Sequence, residues 1–209
     1  VGQYSDCSLA ETSDAYECSV NCGACTDCPA GTSNADAGST TASDCTACGP
    51  GYVSTRAGSA TCTGCEAGQY ATDDSLSYGV ITKATNCSDC PVGYYQAAVA
   101  TVYCSTCDAG TSSGSSTGAT DCTTCNAGTA ASTGSATCDP CDPGYYQDKN
   151  GSDTCSACGA GYYQPATGAT SCEPATNGSY TSATGQPTAS TCENGTDSSG
   201  VASTSCSDC

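Results

Sequence analysis

Pairs of cysteines spaced Cys-x-x-Cys recur along almost the whole chain, and they limit what it can fold into more than any other feature. They stand at Cys45/Cys48, Cys62/Cys65, Cys87/Cys90, Cys104/Cys107, Cys122/Cys125, Cys138/Cys141, Cys155/Cys158 and Cys206/Cys209, and a double version runs Cys22, Cys25, Cys28. A step of 17 residues, as from Cys45 to Cys62 or Cys155 to Cys172, is the commonest period. Three positions after the second cysteine of a pair stands a glycine: Gly31, Gly51, Gly68, Gly93, Gly110, Gly128, Gly144 and Gly161. One or two tyrosines often follow, as in Gly144-Tyr145-Tyr146. A small-residue turn such as Ala166-Thr167-Gly168-Ala169-Thr170 then leads to the next pair. Such self-similarity is the signature of a repeat array, in which one unit cannot bury its surface alone and stacked neighbours can.

Composition explains why the cysteines must hold the fold. Among 209 residues there are 23 Cys, 30 Ser, 32 Thr and 25 Gly, but eight Val, two Leu, one Ile and no Phe, Met or Trp. At roughly 25 cal/mol per Å² of buried apolar surface, so few aliphatic side chains cannot offset an ordering entropy of about 1–2 kcal/mol per residue. Cross-links must supply the difference, and cysteine at this density in an exported chain does so. The fold expected is small, disulfide-rich and β: an elongated linear array of short hairpin repeats with little or no helix. The Gly-Tyr-Tyr and Ser-x-Thr-Cys segments are expected to be the two strands of each hairpin. The fixed glycine implies positive φ, or a place too close to a disulfide for a Cβ. Tyr is expected to lay its ring on the adjacent disulfide with its hydroxyl in water.

Charge removes several functions. Arg56, Lys83 and Lys149 face 21 acidic residues, for a formal net charge of −18. Nucleic-acid binding needs Lys and Arg to displace phosphate counterions, so no nucleic-acid partner is expected. With no His, the His-dependent triads and metal sites are excluded. No run reaches the ~20 apolar residues of a membrane span, so no direct membrane insertion is expected in this segment. No signal peptide precedes the repeats, which implies a mature form or an excised part of an exported chain.

A natural double deletion indicates the disulfide connectivity. After Cys172 the second cysteine of the pair is replaced by Ala175, and the next first cysteine, ahead of Cys192, by Ala189. The repeat is otherwise intact, since Gly178, Tyr180, Thr184 and Gly185 align with Gly161, Tyr163, Thr167 and Gly168. Losing two partners of one bond together leaves no reactive thiol. The rule is then second cysteine to the first of the next pair: Cys28–Cys45, Cys48–Cys62, Cys65–Cys87, Cys90–Cys104, Cys107–Cys122, Cys125–Cys138, Cys141–Cys155, Cys158–Cys172 and Cys192–Cys206. A loop of ~15 residues closed in this way is worth roughly 3 kcal/mol in the chain-entropy model. A thioredoxin-like motif would occur once in a βαβ unit, and a zinc array would alternate two kinds of gap; neither matches the uniform spacing. Residues 1–28 form an irregular cysteine-rich segment that begins mid-repeat, since Val1-Gly2-Gln3-Tyr4 matches Val92-Gly93-Tyr94-Tyr95. Residues 29–209 form the tandem repeats, with the unit 175–189 lacking its disulfide. The partners of Cys7, Cys18, Cys22 and Cys25 stay open, Cys7–Cys18 being preferred by proximity. Cys209 is the odd cysteine, expected either to bond outside the chain or to find its partner in a further segment of a longer repetitive polypeptide.

The run Cys87-Ser88-Asp89-Cys90-Pro91-Val92-Gly93-Tyr94-Tyr95 resembles the repeat of the ciliate surface immobilisation antigens. The same pattern is similar to the ephrin-receptor-like cysteine-rich module and, more distantly, to tumour-necrosis-factor-receptor repeats. The resemblance implies architecture more than function, because this module serves coats, adhesins and receptors.

Four Asn-x-Ser/Thr sequons, at Asn86, Asn150, Asn177 and Asn194, are candidate N-glycosylation sites, of which about half are expected to carry glycans. The loops Thr111 to Thr120 and Thr129 to Thr137 are candidate O-glycan sites. Asp148-Lys149-Asn150-Gly151-Ser152-Asp153 lacks the spacing and bidentate Glu of a calcium loop and reads as solvated surface. No nucleophile stands beside a base, so neither an enzyme nor a cofactor is expected. The function expected is that of an extracellular or cell-surface structural protein, part of a coat or filament that self-associates head to tail. The rival expectation is the stalk or ligand-binding ectodomain of a receptor or adhesin.

Overall fold

In a computed structural model the described residues are 1–4, 26–37, 39–72, 82–198 and 200–208. Among them the chain forms eleven two-stranded antiparallel sheets, each between segments adjacent in chain order. Nearly all strands are two residues long, and the one helix described is a single 3-10 turn at Ala42–Asp44. The architecture is a disulfide-rich array of short β-hairpins.

The hairpins are built differently from the sequence expectation in one respect. The first strand is the pair after the fixed glycine, as expected. The second strand is the x-x inside the next Cys-x-x-Cys, and not the Ser-x-Thr-Cys segment before it. Tyr145 and Tyr146 pair with Ala157 and Ser156, and Tyr162 and Tyr163 pair with Pro174 and Glu173. The residues ahead of the first cysteine are taken up by another contact. At Gln147 and Gln164, three positions after the glycine, the side-chain amide donates to the carbonyls of Thr154 and Ser171 and accepts from the amides of Lys149 and Ala166. Gln96 does the same with Tyr103 and Ala98. The glutamine clips its own loop, while the hairpins that carry Ser54, Ala131 or Thr181 at this place pair in the same register without it.

Backbone bonds close and stack the hairpins. The second cysteine's amide donates to the glycine carbonyl of its own hairpin, as in Cys48 to Gly31 and Cys158 to Gly144, both 2.9 Å. The glycine's amide donates to the next hairpin, from Gly31 to Ser54 at 2.8 Å and from Gly144 to Gln164 at 2.7 Å. The loop tip of that next unit returns a bond to the second cysteine: Gly58 to Cys28 at 2.9 Å, Gly168 to Cys141 at 2.8 Å. Those second cysteines are the core. Cys28, Cys48, Cys65, Cys90, Cys107, Cys125, Cys141 and Cys158 are essentially inaccessible, whereas the first cysteines are half-buried.

The fixed glycine has positive φ throughout, for example +83° at Gly93 and +90° at Gly144. What crowds it is a loop-tip carbonyl, and not a disulfide. A Cβ on Gly93 would overlap the Gly134 oxygen, one on Gly110 that of Gly151, and one on Gly144 that of Gly185. Each of these oxygens comes from two units further along. Every such hairpin therefore touches its first and its second neighbour.

The chain divides into two compact units, one of Val1–Pro91, Tyr95–Ser105 and Thr117–Thr120, the other of Val92–Tyr94, Thr106–Ser116 and Asp121–Cys209. The first holds a small apolar cluster of Val53, Cys65, Ala71 and Ala84, with Cys87 packed against it. The second is centred on its buried cysteines with Ala131 and Ala175.

Candidate interaction surface

All nine sequential bridges of the deletion argument are present, with Cα separations of 5.5–5.8 Å. Cys7, Cys18, Cys22, Cys25 and Cys209 lie outside the described residues. The short hairpin of Gln3–Tyr4 with Thr26–Asp27 brackets the N-terminal cysteine-rich segment, and Cys28 donates to Gly2 in the repeat's usual way.

The surface that this frame presents is aromatic, hydroxylic and acidic. At the first residue after the fixed glycine Tyr52, Tyr94, Tyr145 and Tyr162 point outward and are 37–44 % exposed, whereas Thr32 is buried there. In the second compact unit three open grooves of about 360–390 Å³ occupy one repeat position, between the strand of one hairpin and that of the next. One is lined by Tyr145 with Asp139, Asp142 and Asp153, beside Cys141 and Cys155. Another is lined by Tyr146, Tyr162, Ser171 and Cys172, and the third by Tyr180, Thr191, Glu193 and Thr196. These groups can stack, donate and accept. No Lys or Arg lines any of the three grooves, and in the first the Thr154 hydroxyl donates to the Asp153 carboxylate at 3.3 Å. Among the described residues no three His, Cys, Asp or Glu side chains gather as a metal cage.

Across the hairpins the strand pairs carry polar bonds. Gln3 donates to Asp27 at 2.6 Å and Gln69 to Asp89 at 2.9 Å. One strand position further on, the Glu173 carboxylate, paired across from Tyr163, accepts a bond from that tyrosine's hydroxyl and raises the phenol's pKa above its ordinary value of 10.0. Asp44 has its pKa lowered from 3.8, chiefly because its carboxylate accepts the Thr41 backbone amide.

Of the sequons, Asn86 lies in the strand Asn86–Asp89 and pairs with Thr72. Asn150 sits in a loop tip, where its side-chain Oδ1 accepts the Ala127 amide at 2.8 Å. The acidic loop around it is an inter-repeat contact, since the Gly151 amide donates to the Cys125 carbonyl. Asn177 and Asn194 are exposed on hairpin turns. Sequence reasoning missed the buried polar position three residues after the fixed glycine, occupied by Asn34, Ser54, Gln147, Gln164, Thr181 and Ser198. Its signal was the recurrence of Gln at that place in all three Gly-Tyr-Tyr repeats.

Residues 128–173 match the family described as "Tyrosine-protein kinase ephrin type A/B receptor-like". No curated protein matches the chain. The match and the repeated disulfides mark an extracellular-type cysteine-rich domain, of a kind that is typically non-catalytic. No helix among the described residues is long and apolar enough to cross a membrane.

Proposed function

We propose that this chain is a non-enzymatic structural protein of an extracellular coat or surface filament, as the ciliate surface antigens that its repeats resemble would imply. The observation that carries the reading is uniformity. The same backbone bonds join successive units in both compact units, and the same groove recurs along the second. An enzyme or a receptor concentrates its chemistry in one place, whereas a coat component repeats it. The acidic surface keeps such material soluble before assembly. Association of like copies through like surfaces, head to tail, is part of this reading, because heterologous contacts that do not close make open assemblies.

The second reading, a stalk or ligand-binding ectodomain of a receptor or adhesin, is favoured by the ephrin-receptor-like match. Electron microscopy of the native material separates them. Ordered layers or filaments built from this chain support the coat. Isolated particles that stay monomeric at high concentration and capture a soluble partner would replace it with the stalk.

A further inference from the structure

We infer that Asn177 and Asn194 are N-glycosylated as a pair, one repeat apart on identical turns, while Asn86 and Asn150 stay bare. The inference rests on the extracellular reading, because the modification requires passage through a secretory route. Both residues stand immediately before the fixed glycine of consecutive hairpins, in Asn177-Gly178-Ser179 and Asn194-Gly195-Thr196. Gly178 and Gly195 have φ of +76° and +88°. The turns close by Ser179 to Thr176 at 2.9 Å and Thr196 to Glu193 at 3.0 Å. The sequon hydroxyls also match, since Ser179 Oγ donates to the Thr176 carbonyl and Thr196 Oγ1 to that of Glu193. At the earlier hairpins this turn position is filled by residues that carry no such amide: Ala30, Pro50, Ala67, Val92, Ala109, Ala127, Pro143 and Ala160.

The two turns are open. Both asparagines are exposed, no side-chain hydrogen bond ties either amide among the described residues, and nothing stands within 4 Å of a Cβ built on Gly178 or Gly195. Asn86 and Asn150 are exposed as well, but their sequons are engaged. Asn86 is strand-paired, and the central residue of its sequon is Cys87, bridged to Cys65. The Asn150 side chain accepts the Ala127 amide at the contact between repeats, and the tip carbonyl beside it sits over Gly110. The donor class is a lipid-pyrophosphate-linked oligosaccharide. The asparagine Nδ2 attacks sugar C1 and an N–C bond forms. The C1–O bond breaks, its electron pair leaves on the lipid pyrophosphate, and the amide gives up one proton; no oxidant or reductant is needed.

One of these glycans stands on the unit that has no staple. At Asn177 a sugar would cover a turn that a disulfide secures elsewhere, so the modification shields the unit most in need of it.

The test is site-by-site glycopeptide mapping of the full chain secreted from a glycosylating host, with enzymatic deglycosylation in heavy-oxygen water to mark each occupied asparagine. The expected result is label at Asn177 and Asn194 and none at Asn86 or Asn150. A bare Asn177 or a bare Asn194 overturns the inference, and so does comparable label at all four. Asn177→Gln and Asn194→Gln should each remove one glycan's mass, and the double variant should lose all sensitivity to the deglycosylating enzyme. Electron microscopy of the same preparation reads the coat proposal independently: ordered assembly by bare protein sinks only the glycan pair, and monomeric, doubly glycosylated protein sinks only the coat.

Discussion

A methyl group at Gly161 would have no space, since its Cβ would overlap the Ala202 carbonyl while the backbone holds φ at +86°. Gly161→Ala is expected to cost roughly 2 kcal/mol or more, from left-handed backbone strain and from displacing a loop tip, read as a lowered midpoint in denaturant. The converse change works at the tips themselves. Most tips place glycine at positive φ, but Lys83, Ala100 and Ala202 sit there at +69°, +56° and +61°. Ala202→Gly should stabilise by up to about 1 kcal/mol, the relief of strain exceeding glycine's entropic cost; a drop in stability would mean that the alanine methyl packs usefully. The Tyr163–Glu173 pair predicts a pH dependence. The phenol holds its proton to higher pH in the folded state than in the unfolded chain. The contact therefore contributes fully below the ordinary value of 10.0 and is lost as pH rises through the raised folded value. Glu173→Gln should bring the Tyr163 titration, followed by NMR, down towards that ordinary value; an unchanged titration would remove the carboxylate as the cause. The need for glycine was legible in the sequence. The carbonyl that crowds it was not, because that carbonyl lies two repeats further along the chain.

Among the elements, the hairpin was legible as a period and its second strand was not. Alternation cannot be read from two-residue strands, and Pro and Asp in several of the second strands argue against a strand. In three hairpins a glutamine clip occupies the returning limb. Gln164 is buried at 7 % exposure and spends both ends of its amide on its own loop, donating to Ser171 at 2.7 Å and accepting from Ala166 at 3.0 Å. Gln164→Leu keeps the bulk but strips these partners, and is expected to destabilise by about 1–3 kcal/mol, the cost of leaving polar groups unsatisfied. Hydrogen exchange checks where the loss falls. Faster exchange at Ala166 with the Tyr162–Tyr163 strand still protected would locate the clip in the loop, whereas uniform exchange would show that it supports the hairpin too. The cysteine pairing, by contrast, could be read in advance, because evolution had performed the informative double deletion at Ala175 and Ala189.

For the whole molecule, that deletion leaves one repeat held by the frame alone. Ala175 is as buried as the cysteines it replaces, donates to Gly161 at 2.8 Å and accepts from Ala202 at 2.8 Å. Ser179 and Tyr180 pair with Thr191 and Ser190 in the ordinary register, and Gly185 donates to Cys158 at 2.8 Å. The native unit thus has the geometry of its neighbours and lacks only the covalent restraint on its unfolded state. Closing a loop of this size contributes roughly 3 kcal/mol elsewhere in the array, so opening of this unit is favoured by a comparable amount over its neighbours. A protease of broad specificity is the right probe, since lysine and arginine occur only at Arg56, Lys83 and Lys149. On deglycosylated protein the first cut within residues 82–198 is expected between 176 and 188. Ala175→Cys combined with Ala189→Cys should form a bridge without distorting the frame, because the equivalent pairs Cys158–Cys172 and Cys192–Cys206 span 5.7 and 5.8 Å between Cα atoms. That variant should show no new free thiol and should lose the early cut. Two titratable thiols in the folded double variant would mean that the unit departs from its neighbours in the disulfide's place. An early cut elsewhere in the span would mean that the staples do not set the order in which repeats open.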